Sequence, residues 1–158
     1  MGKDDIVLTR EGLEKAKAEI EHLKSVHRKE VADRIREAKQ FGEYEENSEY
    51  EQAKVEQAFI EGRILELQRI LQHAVIVDES QLDAREVAVG TKVRLRDLSS
   101  GEEIEYKIVG AIEADPAGHR ISNQSPVGRA LLGHAVGETV TVEAPSGSTR
   151  YEILSVTV

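Results

Sequence analysis

Two long apolar seams, separated by a single break, decide what the first half of this chain can become. The first runs through Leu13, Ala16, Ile20, Leu23, His27, Val31, Ile35 and Ala38, and the second through Ala53, Gln57, Ile60, Ile64, Leu67 and Leu71. Steps of three and four residues keep side chains on one face of an α-helix, close to the heptad spacing of a coiled coil. Thr9 stands where an N-cap belongs, with Glu11 in the favourable first turn. Gly12 is expected only as a small local cost. A helix over residues 10–40 would be roughly 46 Å long at 1.5 Å per residue. Ala58, Phe59, Leu65 and Ile70 are expected to widen the second seam to one side. Two amphipathic helices joined by a short turn pack antiparallel, so the pattern predicts a helical hairpin over residues 1–78.

The break itself, Phe41 to Tyr50, is the chemically unusual stretch. Gly42 can stop the incoming helix, and Asn47 or Ser48 can start the outgoing one, with Glu51 in capping-box register to Ser48. From Glu43 to Glu51 there are five glutamates in nine residues and no lysine or arginine. A glutamate-rich turn can be no more than a solvated loop. Here the acids lack counter-charges and sit at the far end of a long hairpin. Carboxylates so placed can share a hard divalent cation such as Mg²⁺, which prefers oxygen ligands and keeps several waters. Two or three of them bind it weakly, so a useful site needs further ligands from a partner.

Beyond the hairpin the period changes. Ala74 to Asp78 reads as a short strand or as the end of the hairpin feeding a linker, and the polar residues 79–86 read as that linker. From Val87 the alternation is of period two, at Lys92 to Arg96 and again at Ile104, Tyr106 and Ile108, with a turn over residues 99–102 between them. Val140 and Val142 form another strand, turned at residues 145–148 into Tyr151, Ile153 and a last apolar run. Ser125, Pro126 and Gly133 bracket a short helix as N-cap, first helical residue and C-terminal stop. The fold class is therefore α+β: a helical hairpin followed by a small β-rich domain, residues 87–158, with one short helix.

Composition narrows the function classes. The 158 residues carry a net charge of −9, shared almost evenly as −4 over residues 1–77 and −5 over residues 78–158. Neither half is the basic surface that holds nucleic acid through its phosphates unaided, so any nucleic acid would be held by another molecule. Without cysteine there are no disulfides and no thiolate metal sites. With no apolar run of membrane length and no signal peptide, a cytoplasmic protein is expected. No glycine-rich nucleotide loop and no Ser/His/Asp arrangement appears, and the five histidines are scattered. Lys24, Arg28, Lys29, Arg34, Arg36 and Lys39 could offer positive charge to nucleic acid or a partner along the hairpin, but a solvated helix face balanced by nearby acids is the favoured reading.

The tip resembles a known motif. Residues 42–50, GEYEENSEY, are similar to the tip of the Gre transcript-cleavage factors, written G-D-x-x-E-N-[A/S]-E-Y. Residues 57–64, QAFIEGRI, and 125–133, SPVGRALLG, also resemble that family, specifically its GreA type. The resemblance implies an antiparallel coiled coil followed by a domain similar to the FKBP fold. It implies a monomer that docks on bacterial RNA polymerase and sends its hairpin into the secondary channel. There the tip would act on the nascent RNA 3′ end in an elongation complex, and the polymerase would hydrolyse backtracked RNA. By the same resemblance Glu43 and Glu46 are the catalytic acids and the ligands of a Mg²⁺ shared with polymerase, scarcely held by the free chain. Tyr44, Asn47, Ser48, Glu49 and Tyr50 support the tip. Ser125, Pro126 and Arg129 match the docking region, where a helix cap with core support is the other reading. The factor would not be an enzyme itself.

One residue departs from the family pattern: Glu43 stands where an aspartate is usual. The extra methylene moves the carboxylate by about 1.5 Å, and a misplacement of about 1 Å can cost on the order of 100-fold in a positioned reaction. Cleavage stimulation is expected, its strength set by how much the tip absorbs. An occluding factor that enters the channel without promoting cleavage is the near alternative. A peptidyl-prolyl isomerase built on the second domain is a remote one, since Tyr106 and Tyr151 are the only aromatics after residue 78.

Overall fold

The computed structural model describes residues 6–40 and 48–158. Glu43, Tyr44, Glu46 and Asn47 therefore lie outside the described residues. The chain forms two compact units, residues 14–73 and a second made of residues 1–13 with 74–158.

The first unit is the hairpin. One arm is continuous helix: α1 (Arg10–His22), a π-helical turn (Leu23–His27) and α2 (Arg28–Gln40). The other is α3 (Ser48–His73). Ala16, Leu23, Val31, Ile60, Ile64 and Leu67 form the buried seam, with Ile20, Ile35 and Leu71 half-buried against it. In the π turn the Arg28 N–H donates to the Leu23 carbonyl, five residues back. Its cause is visible in the seam, which steps by four three times running from Leu23 to Ile35. Three such steps overrun 3.6 residues per turn by about one residue, the surplus that a single π turn takes up. Of the side chains expected to widen the α3 seam, only Ile70 is buried; Ala58, Phe59 and Leu65 are exposed.

The second unit is β-rich. Its main sheet has five strands in the order β5-β4-β3-β7-β6, namely Arg120–Ser122, Glu103–Val109, Lys92–Asp97, Gly147–Thr157 and Thr139–Ala144. All neighbours are antiparallel except β4 and β5. Val93, Leu95, Ile108, Val140, Ile153 and Val156 turn inward from it, and Leu131 of the short helix α4 (Pro126–Leu131) completes that core. Gly101 takes the left-handed conformation (φ +79°) that closes the β3–β4 hairpin, where the Asp97 carboxylate accepts from the Ser99 hydroxyl and N–H.

The division of the chain differs from the one drawn at residues 78 and 87. Val7–Thr9 (β1) and Val75–Val77 (β2) pair in parallel as a second small sheet, and both belong with the β-rich unit. Residues 79–86 join it too: Glu79–Gln81 form a 3₁₀ turn and Leu82 packs on the core. The strand expected within residues 74–78 is present as β2, whereas its partner β1 lies far away in sequence, a pairing that a local period does not reveal.

Candidate functional site

The described helix ends bracket the acidic turn. α2 is described as far as Gln40 and α3 from Ser48. Ser48 is the first described residue of α3, and Asn47 lies outside the described residues. Ser48 and Glu49 are exposed and Tyr50 is half-buried. Glu49 and Glu51 occupy the first turn of α3, where the helix dipole favours negative charge. Beneath them two alanines of the seam, Ala38 and Ala53, are buried. A polar cleft of about 350 Å³ lies beside them, lined by Arg34, Glu37, Ala38, Glu49 and Gln52. Among the described residues no three carboxylates or histidines are grouped to hold a metal ion.

The basic side chains of the hairpin divide. Arg28 forks onto Glu61 at 2.7 and 2.9 Å, which raises its pKa through those hydrogen bonds. Arg34 pairs with Glu56 at 2.6 Å, and Arg36 lies 3.3 Å from Asp33. Lys24, Lys29 and Lys39 are exposed. Arg28 and Arg34 thus clasp the two arms together, in keeping with a balanced helix face.

At the second candidate region Ser125 is engaged locally. Its Oγ accepts from the Gly128 N–H at 3.1 Å and donates to the Ser122 carbonyl at 2.7 Å. A Cβ on Gly128 would come within 2.0 Å of that same carbonyl oxygen, so α4 sits against the chain at a distance only glycine permits. Pro126 and Arg129 are exposed, while Gly128 and Leu131 face inward. Ser125 shapes the helix, and Pro126 and Arg129 are the members of this set free to meet a partner.

One polar cluster has no counterpart in the sequence reading. The Glu113 carboxylate accepts from the Thr9 N–H at 2.9 Å, from the Thr9 hydroxyl and from the Gly110 N–H at 3.3 Å. Thr9 in turn caps α1, its Oγ1 accepting from the Gly12 N–H at 3.1 Å. A Cβ on Gly12 would stand 2.2 Å from the Glu113 carboxyl carbon, so this glycine is a clearance rather than a cost. Nearby, Arg120 forks onto Glu11 at 3.1 and 2.7 Å. A glycine at the third position of a well-capped helix was the only signal for this cluster. Tyr106 and Tyr151, on which an isomerase pocket would draw, pack against the sheet core instead. Burial first, then the neighbouring Tyr106, pushes the Tyr151 phenol pKa up.

Comparison with known proteins joins the two units under one family. The family described as "Transcription elongation factor, N-terminal" matches residues 6–76, and "Transcription elongation factor, GreA/GreB, C-term" matches residues 82–158. The chain is 51% identical over 152 residues to transcription elongation factor GreA of Clostridioides difficile, covering 96% of each chain. Against the GreA of Caldanaerobacter subterraneus it is 50% identical over 151 residues, again covering 96% of each. The solved structure of Gfh1, GreA factor homolog 1 of Thermus thermophilus, is similar at 31% identity with a TM-score of 0.44, covering 98% of this chain and 99% of that one. Both halves and nearly the whole length match, and this chain belongs to the GreA/GreB family of transcription elongation factors.

Proposed function

We propose that this chain binds the bacterial RNA polymerase elongation complex, places residues 41–50 in its secondary channel and stimulates cleavage of backtracked RNA. The observation that carries the reading is that two described helical arms, one running to Gln40 and the other from Ser48, flank the acidic stretch in sequence, where five glutamates fall from Glu43 to Glu51 with no lysine or arginine.

The donor set suits a hard cation. Glu43 and Glu46 offer carboxylate oxygens, with no nitrogen or sulfur ligand beside them in the turn. Glu43 and Glu46 would hold such an ion weakly, so polymerase would supply its other ligands and the chain would act as a cofactor of polymerase and not as an enzyme by itself. A Mg²⁺ shared in this way supplies stabilisation of charge developing on the phosphate. The chain contributes position. Glu43 and Glu46 are held at the end of a braced pole, and Asn47 and Ser48 start the helix that fixes them. Tyr44, Glu49 and Tyr50 shape the turn around the acids. Pro126 and Arg129 make the docking contact on the outside of the polymerase.

The test is fragment release from backtracked elongation complexes. Added factor should accelerate cleavage with the catalysis still owned by the polymerase, so factor incubated with free RNA and Mg²⁺ should release nothing. Glu43→Ala and Glu46→Ala should each lose the acceleration while still binding. If both alanine variants accelerate as the wild type does, the tip is not the catalytic element. If the wild type binds without accelerating and Glu43→Asp accelerates, the longer acid has made an occluding factor.

A further inference from the structure

Helix α3 is apolar on two opposite faces, and the hairpin uses only one of them. Ala53, Ile60, Ile64, Leu67 and Ile70 are buried. Val55, Phe59 and Leu65 are 69%, 71% and 66% exposed, with Ala58 exposed among them. At about 100° per residue these four fall within an arc of roughly 120°, centred on the side away from the buried seam. On the other arm the one exposed large apolar side chain among the described residues is Val26. A two-helix hairpin requires one apolar stripe per helix, so its own packing does not account for the second.

The end of this face nearest the tip is shaped and charged. Glu51, Gln52, Val55, Glu56 and Phe59 line an open depression of about 450 Å³, with two carboxylates and no base. Glu56 is tied to Arg34 at 2.6 Å, whereas exposed Glu51 makes no ion pair with a described residue.

We propose that Val55 and Phe59, rimmed by Glu51, dock against an apolar segment bearing an arginine or lysine on the wall of the polymerase channel. This rests on the function proposed above. Three observations select that occupant. The apolar centre with an acidic rim is complementary to an apolar surface carrying a base, and an arginine can lie over the Phe59 ring while pairing with Glu51. The face begins beside the described start of α3: Val55 and Phe59 lie roughly 10 and 16 Å along the helix from Ser48, within reach of a partner that takes in the first few turns of that helix. The exposed apolar patch is of the order of a few hundred Å², below the ~600 Å² per partner at the lower end of stable interfaces. It is therefore too small to hold a second copy of this chain by itself and large enough to extend a contact made elsewhere.

The test is equilibrium binding of the full chain to a polymerase elongation complex, comparing wild type, Phe59→Gln, Val55→Gln and Glu51→Gln. Glutamine keeps helix propensity at these exposed positions, and unchanged helical circular dichroism verifies the fold. Phe59→Gln should weaken binding roughly tenfold, Val55→Gln less, and Glu51→Gln should flatten the salt dependence of binding. Wild type that binds, with Phe59→Gln binding equally well, overturns this inference and leaves the proposed function standing. Wild type that does not bind polymerase overturns both. A sedimentation experiment showing a dimer that Phe59→Gln splits would assign the face to a second copy and overturn the polymerase assignment.

Discussion

Glu113 holds Thr9 by two hydrogen bonds, from its N–H and its hydroxyl, across 104 residues of sequence. Thr9 is fully buried, and it is also the residue that caps α1. One carboxylate therefore fixes both the end of β1 and the first turn of the helix that follows. Gly12 is the condition for this, because any side chain there occupies the carboxylate's place.

The pair gives a sharp thermodynamic test. In an open helix Gly→Ala gains about 1 kcal/mol. Here Gly12→Ala should destabilise, since the displaced carboxylate leaves buried donors on Thr9 unsatisfied, at a cost of about 1–3 kcal/mol. In a Glu113→Ala background the same substitution should become neutral or favourable. A double-mutant cycle by thermal or denaturant unfolding should then show a coupling of more than about 1 kcal/mol. Additive effects would show that Gly12 and Glu113 do not share this space.

Two further glycines should respond in opposite directions. Gly62 is exposed in the middle of α3, and a Cβ there meets nothing within 4 Å. Gly62→Ala should stabilise the hairpin by about 1 kcal/mol through helix propensity alone. Gly128→Ala drives a methyl into the Ser122 carbonyl and should destabilise the β-rich unit by about 1–3 kcal/mol. Circular dichroism melts followed at 222 nm and hydrogen exchange of the α4 amides separate the two effects. Loss of stability at Gly62 or none at Gly128 would contradict the packing described.

Acid stability has a predicted sign. The Ser80 hydroxyl and then its N–H hold the Asp78 carboxyl below the ordinary range, and Ser99 does the same for Asp97. Glu138 is lowered by the Ala135 N–H first and then by His134. For groups lowered on folding, the stabilisation is complete above the ordinary carboxylate value and is lost as pH falls through the folded values. The melting temperature should therefore be flat from neutrality to about pH 5 and fall below about pH 4. Asp78→Asn and Asp97→Asn should each melt lower near neutrality and converge on wild type in acid. A gap that stays constant down to about pH 2.5 would show that these carboxylates do not carry the acid limb.

Much of this architecture is legible in the chain because it is written in local periods. Every position of the first seam is buried or half-buried, and each strand read from alternation is present. The π turn was also written there, as three consecutive four-residue steps, although a seam reads the same with or without it until its drift is counted. Phe59 and Leu65 misled as seam-wideners because apolar character reports a demand for cover without saying by what. β1, β5 and the Glu113 cluster were illegible for a different reason. β1 and the cluster join partners far apart in sequence, as when Val7 pairs with Val75 or Glu113 holds Thr9, while β5 is a three-residue strand set in parallel beside β4, too short to show a period. At the tip, the sequence supplied the acids, the missing counter-charge and the bracketing helices, and the described helix ends fall on either side of that turn.

The most direct measurement of the central claim is RNA fragment release from one preparation of backtracked polymerase, with wild type, Glu43→Asp, Glu43→Ala and Glu46→Ala each at saturation. The account predicts acceleration by wild type and loss of that acceleration in both alanine variants, with binding retained. It also predicts that Glu43→Asp equals or exceeds wild type, because the shorter acid removes a displacement of about 1.5 Å. Wild-type rates from either alanine variant, or no acceleration by any form that demonstrably binds, would contradict it.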